Sequence, residues 1–170
     1  MWAIKDQRTL VDTFSRVLKG LDKGYWITLN SDKSVSGLDD KCLDSRITDF
    51  EPKVIQFISE LNEYCYGRQF LKKRPGAKLN CVGAFEVGNH ERLLHVHIVA
   101  GHNGSTNRSI PDIQKFSSSA WNRIGQFKKH LNTRVRVEDI GTVSARIWYM
   151  TKQSVEFQRW QDGRDNISNF

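Results

Sequence analysis

Two adjacent runs, "LNCVGAFEVG" (79–88) and "RLLHVHIVAG" (92–101), constrain the fold of this chain most. Each is short and largely apolar and runs up to a glycine, the pattern of a strand. Only "NHE" and its flanks separate them, so they read as an antiparallel hairpin. A hairpin cannot bury both of its faces alone, and the segments on either side have to supply the cover.

Those segments alternate between helical and extended patterns. In "QRTLVDTFSRVLKGL", Leu10, Phe14, Val17 and Leu21 lie at helical spacing, which predicts an N-terminal helix over about 5–20. "GYWITLN" (24–30) is a strand, and the polar, turn-rich stretch 31–46 reads as a long loop or a small excursion. A helix is expected from about Pro52, with Val54, Ile58, Leu61 and Cys65 on one stripe, closed by the basic loop 67–78. After the hairpin, Ile113, Phe116, Ala120, Ile124, Phe127 and Leu131 define another amphipathic helix. "RVRVE" (134–138) alternates as a strand with one wet face, and a last helix runs from about Thr142 to Ser154, followed by a short C-terminal tail. The middle of this order, β-α-β-β-α-β, is the split arrangement of ferredoxin-like or RRM-like sheets. The expected fold is therefore α+β. A central antiparallel sheet with packed helices would form one domain over 1–170, with its core at about 24–154.

Within the hairpin, two histidines interrupt an apolar strand. Side chains alternate across a strand, so His95, His97 and Val99 share one face while Val96, Ile98 and Ala100 share the other. The apolar face would pack on helices, leaving the histidine face to point elsewhere. Two imidazoles about 7 Å apart along a strand can converge on one ion. Glu86, on the preceding strand, is a second ionisable interruption. It joins the histidines if the pairing register sum is odd, and the eight residues between 86 and 95 permit that without a bulge. Two histidines and a carboxylate leave open coordination positions, as a catalytic ion requires. His90 and His102 read as exposed loop residues.

In the last helix, "TVSARIWYMTKQS", Val143, Ile147, Met150 and Ser154 make the inward stripe. Tyr149 falls outside it, on a face shared with Arg146, Lys152 and Gln153. A phenol is a weak nucleophile at neutral pH, and nearby cations or a metal would have to activate it. An exposed tyrosine on an amphipathic helix is the plainer reading of that residue alone.

Composition narrows the partners. The formal net charge is +7, with Lys and Arg dense in "GRQFLKKRPGAK" (67–78), "RIGQFKKH" (123–130) and "TRVRVED" (133–139). A polyanion such as nucleic acid suits that balance, and Lys72, Lys73, Arg74, Lys128, Lys129 and Arg146 are the candidate contacts. Three scattered cysteines, Cys42, Cys65 and Cys81, form neither a disulfide framework nor a zinc-thiolate pattern, and suit a reducing, cytoplasmic location as small core residues. No apolar run approaches the roughly 18 to 20 residues that span a bilayer, so no membrane partner is expected.

Taken together, the H-x-H strand, the upstream Glu86 and Y-x-x-K on a later helix resemble the HUH endonuclease superfamily. The resemblance runs from "YWITLN" through "FEVGNHERLLHVHIV" to "WYMTKQ", about residues 24 to 153. It implies that His95, His97 and Glu86 hold a divalent cation, Mg²⁺ or Mn²⁺. Tyr149 would attack a phosphodiester of single-stranded or hairpin origin DNA, and Lys152 would position or neutralise the phosphate. The single tyrosine and the lack of a three-histidine cluster look most like rolling-circle replication initiators of plasmids or viruses. With no Walker A sequence, the implied helicase is the host's; oligomeric state stays open. A single-strand transposase or relaxase is the near alternative, a non-catalytic single-stranded nucleic-acid binder the distant one, and a structural zinc site a third.

Overall fold

A computed structural model describes residues 11–160 apart from 13, 17, 20, 22, 75–77, 89–92, 103–105, 107, 128–133, 154 and 155. For residues 33, 40, 152, 153 and 156–160 it describes the backbone alone. Residues 11, 12 and 14–16 are helical. The elements that follow are β1 (Lys23–Ser34), α1 (Asp40–Tyr66), α2 (Arg68–Lys73), β2 (Asn80–Val87), β3 (Leu93–His102), α3 (Ile110–Gly125), β4 (Val135–Asp139), α4 (Val143–Gln153) and β5 (Glu156–Trp160).

The strands form one antiparallel sheet in the order β4-β1-β3-β2-β5. Its first four members stand in the ferredoxin-like order that β-α-β-β-α-β connectivity produces. The fifth strand was not expected. Glu156–Trp160, read from sequence as tail, pairs with β2 at the open edge of the hairpin. Five residues are too few for periodicity to separate from loop, and only the unpaired edge of β2 gives them a partner.

The longest helix also begins earlier than expected. Asp39 caps α1 by accepting a hydrogen bond from the Cys42 backbone N–H at 2.8 Å, and the helix then runs straight through Pro52. An internal proline costs about 3 kcal/mol. The turns before it bury Ile47 and Phe50 in the core, about 1.5–3 kcal/mol each, so continuing the helix wins. α1 ends at Gly67, whose φ of 81° suits glycine and whose N–H bonds to the Glu63 carbonyl.

Helices α1 and α3 cover one face of the sheet. Val54, Phe57, Ile58 and Leu61 meet Ile27, Leu29, Phe85, Val96 and Ile98, with Trp121 of α3 fully buried between them. At the far end of this layer Asn62, buried in α1, accepts a hydrogen bond from the Leu79 N–H at 2.8 Å and donates to the Ile58 carbonyl. Asn62→Ala strands that buried N–H at the entry to β2. A loss of about 1–3 kcal/mol in urea unfolding is expected, whereas a surface residue would give a shift within about 0.5 kcal/mol.

The opposite face carries the histidines, and it too is covered. Ile147 and Met150 of α4 pack with Phe14 and Leu18 on Trp26, Val82, Ala84 and Val99. The expectation of one helix-covered face is thus corrected: β1, β2 and β3 bury a second apolar row here, in which the histidines and Glu86 are the exceptions. Gly141, at φ 57°, makes the sharp turn between β4 and α4, and its N–H bonds the Asp139 side chain at 2.8 Å. That turn folds α4 back onto the sheet. Among the described residues, no helix is long and apolar enough to cross a membrane.

Candidate metal centre

The site begins with register. In the β2–β3 pair Glu86 lies directly opposite His95, and Ala84 opposite His97. The odd register sum puts Glu86 and both imidazoles on one face. Glu86 and His97 are buried, 5% and 7% exposed, and His95 is half-buried. His97 Nε2 stands 3.2 Å from Glu86 Oε2, and His95 Nε2 stands 3.7 Å from the same oxygen. One donor atom from each residue lies within 4.8 Å of the others, a group that could hold a metal ion.

The outer nitrogens orient the rings. His95 Nδ1 lies 3.4 Å from the Leu93 carbonyl, which can only accept, so Nδ1 carries the proton in that contact. In neutral His95 the Nε2 lone pair therefore faces the Glu86 carboxylate. His97 Nδ1 contacts Thr28 Oγ1 at 2.9 Å, from the neighbouring strand β1. A ring nitrogen held by an outer oxygen while the other aims inward is the usual support of a ligating histidine. Glu86 Oε2 and His97 Nε2 are buried atoms without a hydrogen-bond partner. With both rings protonated on Nδ1 these atoms are buried acceptors facing one another, which is costly, and a cation between them would satisfy all three. The donor set therefore fits a divalent ion.

Electrostatics agree with that. With a proton on Nε2, His95 and then His97 hold the Glu86 carboxyl down to about 2, against the opposing effect of burial. Burial pushes His97 below the usual imidazole range, opposed by Glu86. Both shifts mean that the unfolded chain takes up protons at higher pH than the folded one. Ion-free protein should then lose stability on acidification. The His97 share goes as pH falls below its ordinary 6.5, and the Glu86 share goes between about 4.5 and about 2. Thermal midpoints in EDTA from pH 7 to pH 3 should fall, less steeply near pH 6 in His97→Gln. A midpoint that rises on acidification contradicts this assignment.

Tyr149 stands beside the triad. It is 50% exposed, and its ring centroid lies 5.6 Å from that of His97 and 6.0 Å from that of Trp26, edge-on to both. Trp26, buried on β1, stacks on His97 at 4.9 Å and lies under the Arg146 guanidinium at 5.0 Å. Arg146 also pairs with Glu138 at 3.3 Å and reaches the Asp139 carbonyl, so the protein itself engages this candidate DNA contact. It ties α4 to β4 and β1 one turn before the tyrosine. Lys152 lies one turn after Tyr149 on α4, with its side chain outside the described residues.

The other candidates are distant or undescribed. Lys72, Lys73 and Arg74 are exposed in and just after α2, which joins α1 to the start of β2, the end of that strand opposite Glu86. Lys128, Lys129 and His90 lie outside the described residues. His102 is not the exposed loop residue expected: it closes β3, is 5% exposed, and lies against Tyr25 with 5.6 Å between ring centroids. Of the cysteines read as core, only Cys81 is buried, and Cys42 is exposed. Thr28 and Trp26 were missed as parts of the site. Both have the strand parity of His97, and the threonine interrupting "YWITLN" was the available signal.

No protein-family model matches the chain, nor does any curated protein or solved structure.

Proposed function

We propose that this protein is a metal-dependent single-stranded DNA endonuclease and strand transferase that cuts through a covalent tyrosyl intermediate. The observation that carries this reading is a half-exposed phenol set against the ring of a buried histidine that could ligate a metal. A structural metal site has no need of such a neighbour.

Tyr149 Oη would attack the phosphorus, and the bond from phosphorus to the 3′ oxygen would break. The product is a 5′-phosphotyrosyl link plus a free 3′-hydroxyl. The phenolic proton leaves to solvent, and the departing oxygen takes one up. A divalent ion held by Glu86, His95 and His97, Mg²⁺ or Mn²⁺ as the resemblance implies, would polarise the phosphate when bound. Thr28 and Trp26 fix the plane of His97, and Arg146 fixes the helix that presents the nucleophile. Lys152 would neutralise the bound phosphate. Because the phosphodiester energy is kept in the covalent link, the cut strand can be rejoined, as initiation of rolling-circle replication on a plasmid or virus requires. A transposase or relaxase would use the same chemistry on another substrate.

A non-catalytic binder of the ferredoxin-like type uses an open sheet face with displayed aromatics. Here that face lies under α4, and Trp26 is 3% exposed, which favours the nuclease. Incubation with Mn²⁺ and single-stranded oligonucleotides carrying a randomised segment should yield a protein–DNA adduct that survives denaturing electrophoresis. No adduct with any member of the pool, while Mn²⁺ still binds, would overturn the catalytic reading.

A further inference from the structure

Helix α2, with the sequence RQFLKK, buries none of its residues, yet it carries a phenylalanine. Phe70 is 37% exposed, and Tyr66, at the end of α1, lies nearly parallel to it with 6.2 Å between ring centroids and 14° between planes. The Arg74 guanidinium sits over the Phe70 ring at 5.6 Å. In sequence, residues 67–78 supply five cations, Arg68, Lys72, Lys73, Arg74 and Lys78, and no acid. Arg68 pairs with Glu63 at 3.8 Å, and among the described ion pairs Lys72, Lys73 and Arg74 enter none. Phe70 belongs to neither core cluster of the described residues. Cations that serve solubility alone need no aromatic partner.

We infer that α2 and the Tyr66–Phe70 pair form a second contact for single-stranded DNA, in which bases stack on the exposed ring and phosphates meet Lys72, Lys73 and Arg74. Aromatic faces flanked by cations are how proteins hold single strands without reading sequence. The choice of DNA as occupant rests on the nuclease reading; the stacking and charge do not. The contact is remote from the triad. α2 precedes β2, whose far end bears Glu86, six residues and therefore about 20 Å along the strand. Tyr66 also packs against the core on the other face of the sheet. A strand held here anchors DNA independently of the metal.

The test separates the two sites. Full-length protein carrying Tyr149→Phe is titrated in EDTA against fluorescent dT₂₀ by anisotropy across a salt series. Replacing Lys72, Lys73 and Arg74 together by Gln should flatten the slope of log affinity against log salt by about 2. Phe70→Ser should weaken binding on the order of 10- to 100-fold and weaken binding to a blunt duplex far less. Both variants should bind Mn²⁺ like the wild type, which shows the fold intact. An unchanged slope in the triple variant, or equal losses on dT₂₀ and duplex in Phe70→Ser, overturns the proposal. So does tighter binding of rU₂₀ or of phosphatidylserine vesicles than of dT₂₀. Failure of metal-dependent cleavage, by contrast, would bear on the triad alone.

Discussion

Tyr149→Phe is expected to lower cleavage of single-stranded DNA by at least about 10³-fold and to remove the covalent adduct altogether. The substitution deletes one oxygen and keeps the ring edge that meets His97 and Trp26. Because the residue is half exposed, stability should change by less than about 0.5 kcal/mol. Mn²⁺ affinity should also be unchanged, since Tyr149 is not one of the three ligands. That combination distinguishes a nucleophile from a residue that merely closes the site. Undiminished adduct in the variant would transfer the role to another group. The remaining tyrosines are poor substitutes: Tyr25 is buried and donates to the Arg108 carbonyl, while Tyr64 and Tyr66 lie at the end of α1 that leads away from the triad.

Glu86→Gln should weaken Mn²⁺ binding by at least about 100-fold, because changing even a residue that only supports a ligand costs 10- to 100-fold. The amide keeps the shape of the carboxylate and removes the charge that two inward-facing nitrogens share. His97→Ala should do the same and cost stability as well, since Trp26 then loses its stacked partner. Adduct formation should fall in step with metal occupancy and recover in part at high Mn²⁺ for Glu86→Gln. Isothermal titration in parallel with the adduct assay reads both quantities. A Glu86→Gln protein that binds Mn²⁺ as tightly as the wild type would remove the carboxylate from the ligand set.

Legibility from sequence followed the range of the forces involved. Alternation along 93–100 assigned both histidines to one face, because strand geometry is local and its period is fixed at two; parity permitted Glu86 to join them, and the register that pairs it with His95 decided it. The helical stripes through Val54, Ile58 and Leu61 and through Ile147 and Met150 were equally local. Misreadings arose where a distant partner decided the outcome. Pro52 looked like a helix start, but burial of Ile47 and Phe50 extends α1 back to Asp40. Residues 156–160 form a strand because β2 has an open edge, and His102 is buried because β3 continues alongside Lys23 and Gly24. The stacking of Trp26 on His97 depends on β1 lying beside β3, which no single run of residues displays.

The most direct test of a cation-holding triad that serves Tyr149 is mass spectrometry of the peptide left attached to cleaved DNA. Trypsin cuts after Arg146 and Lys152, so the fragment Ile147–Lys152 carries Tyr149 as its single tyrosine. With Mn²⁺ that fragment should bear a 5′-phosphonucleotide, and with EDTA it should be unmodified. DNA on a peptide holding Tyr25, Tyr64 or Tyr66, or equal attachment in EDTA, would contradict the account.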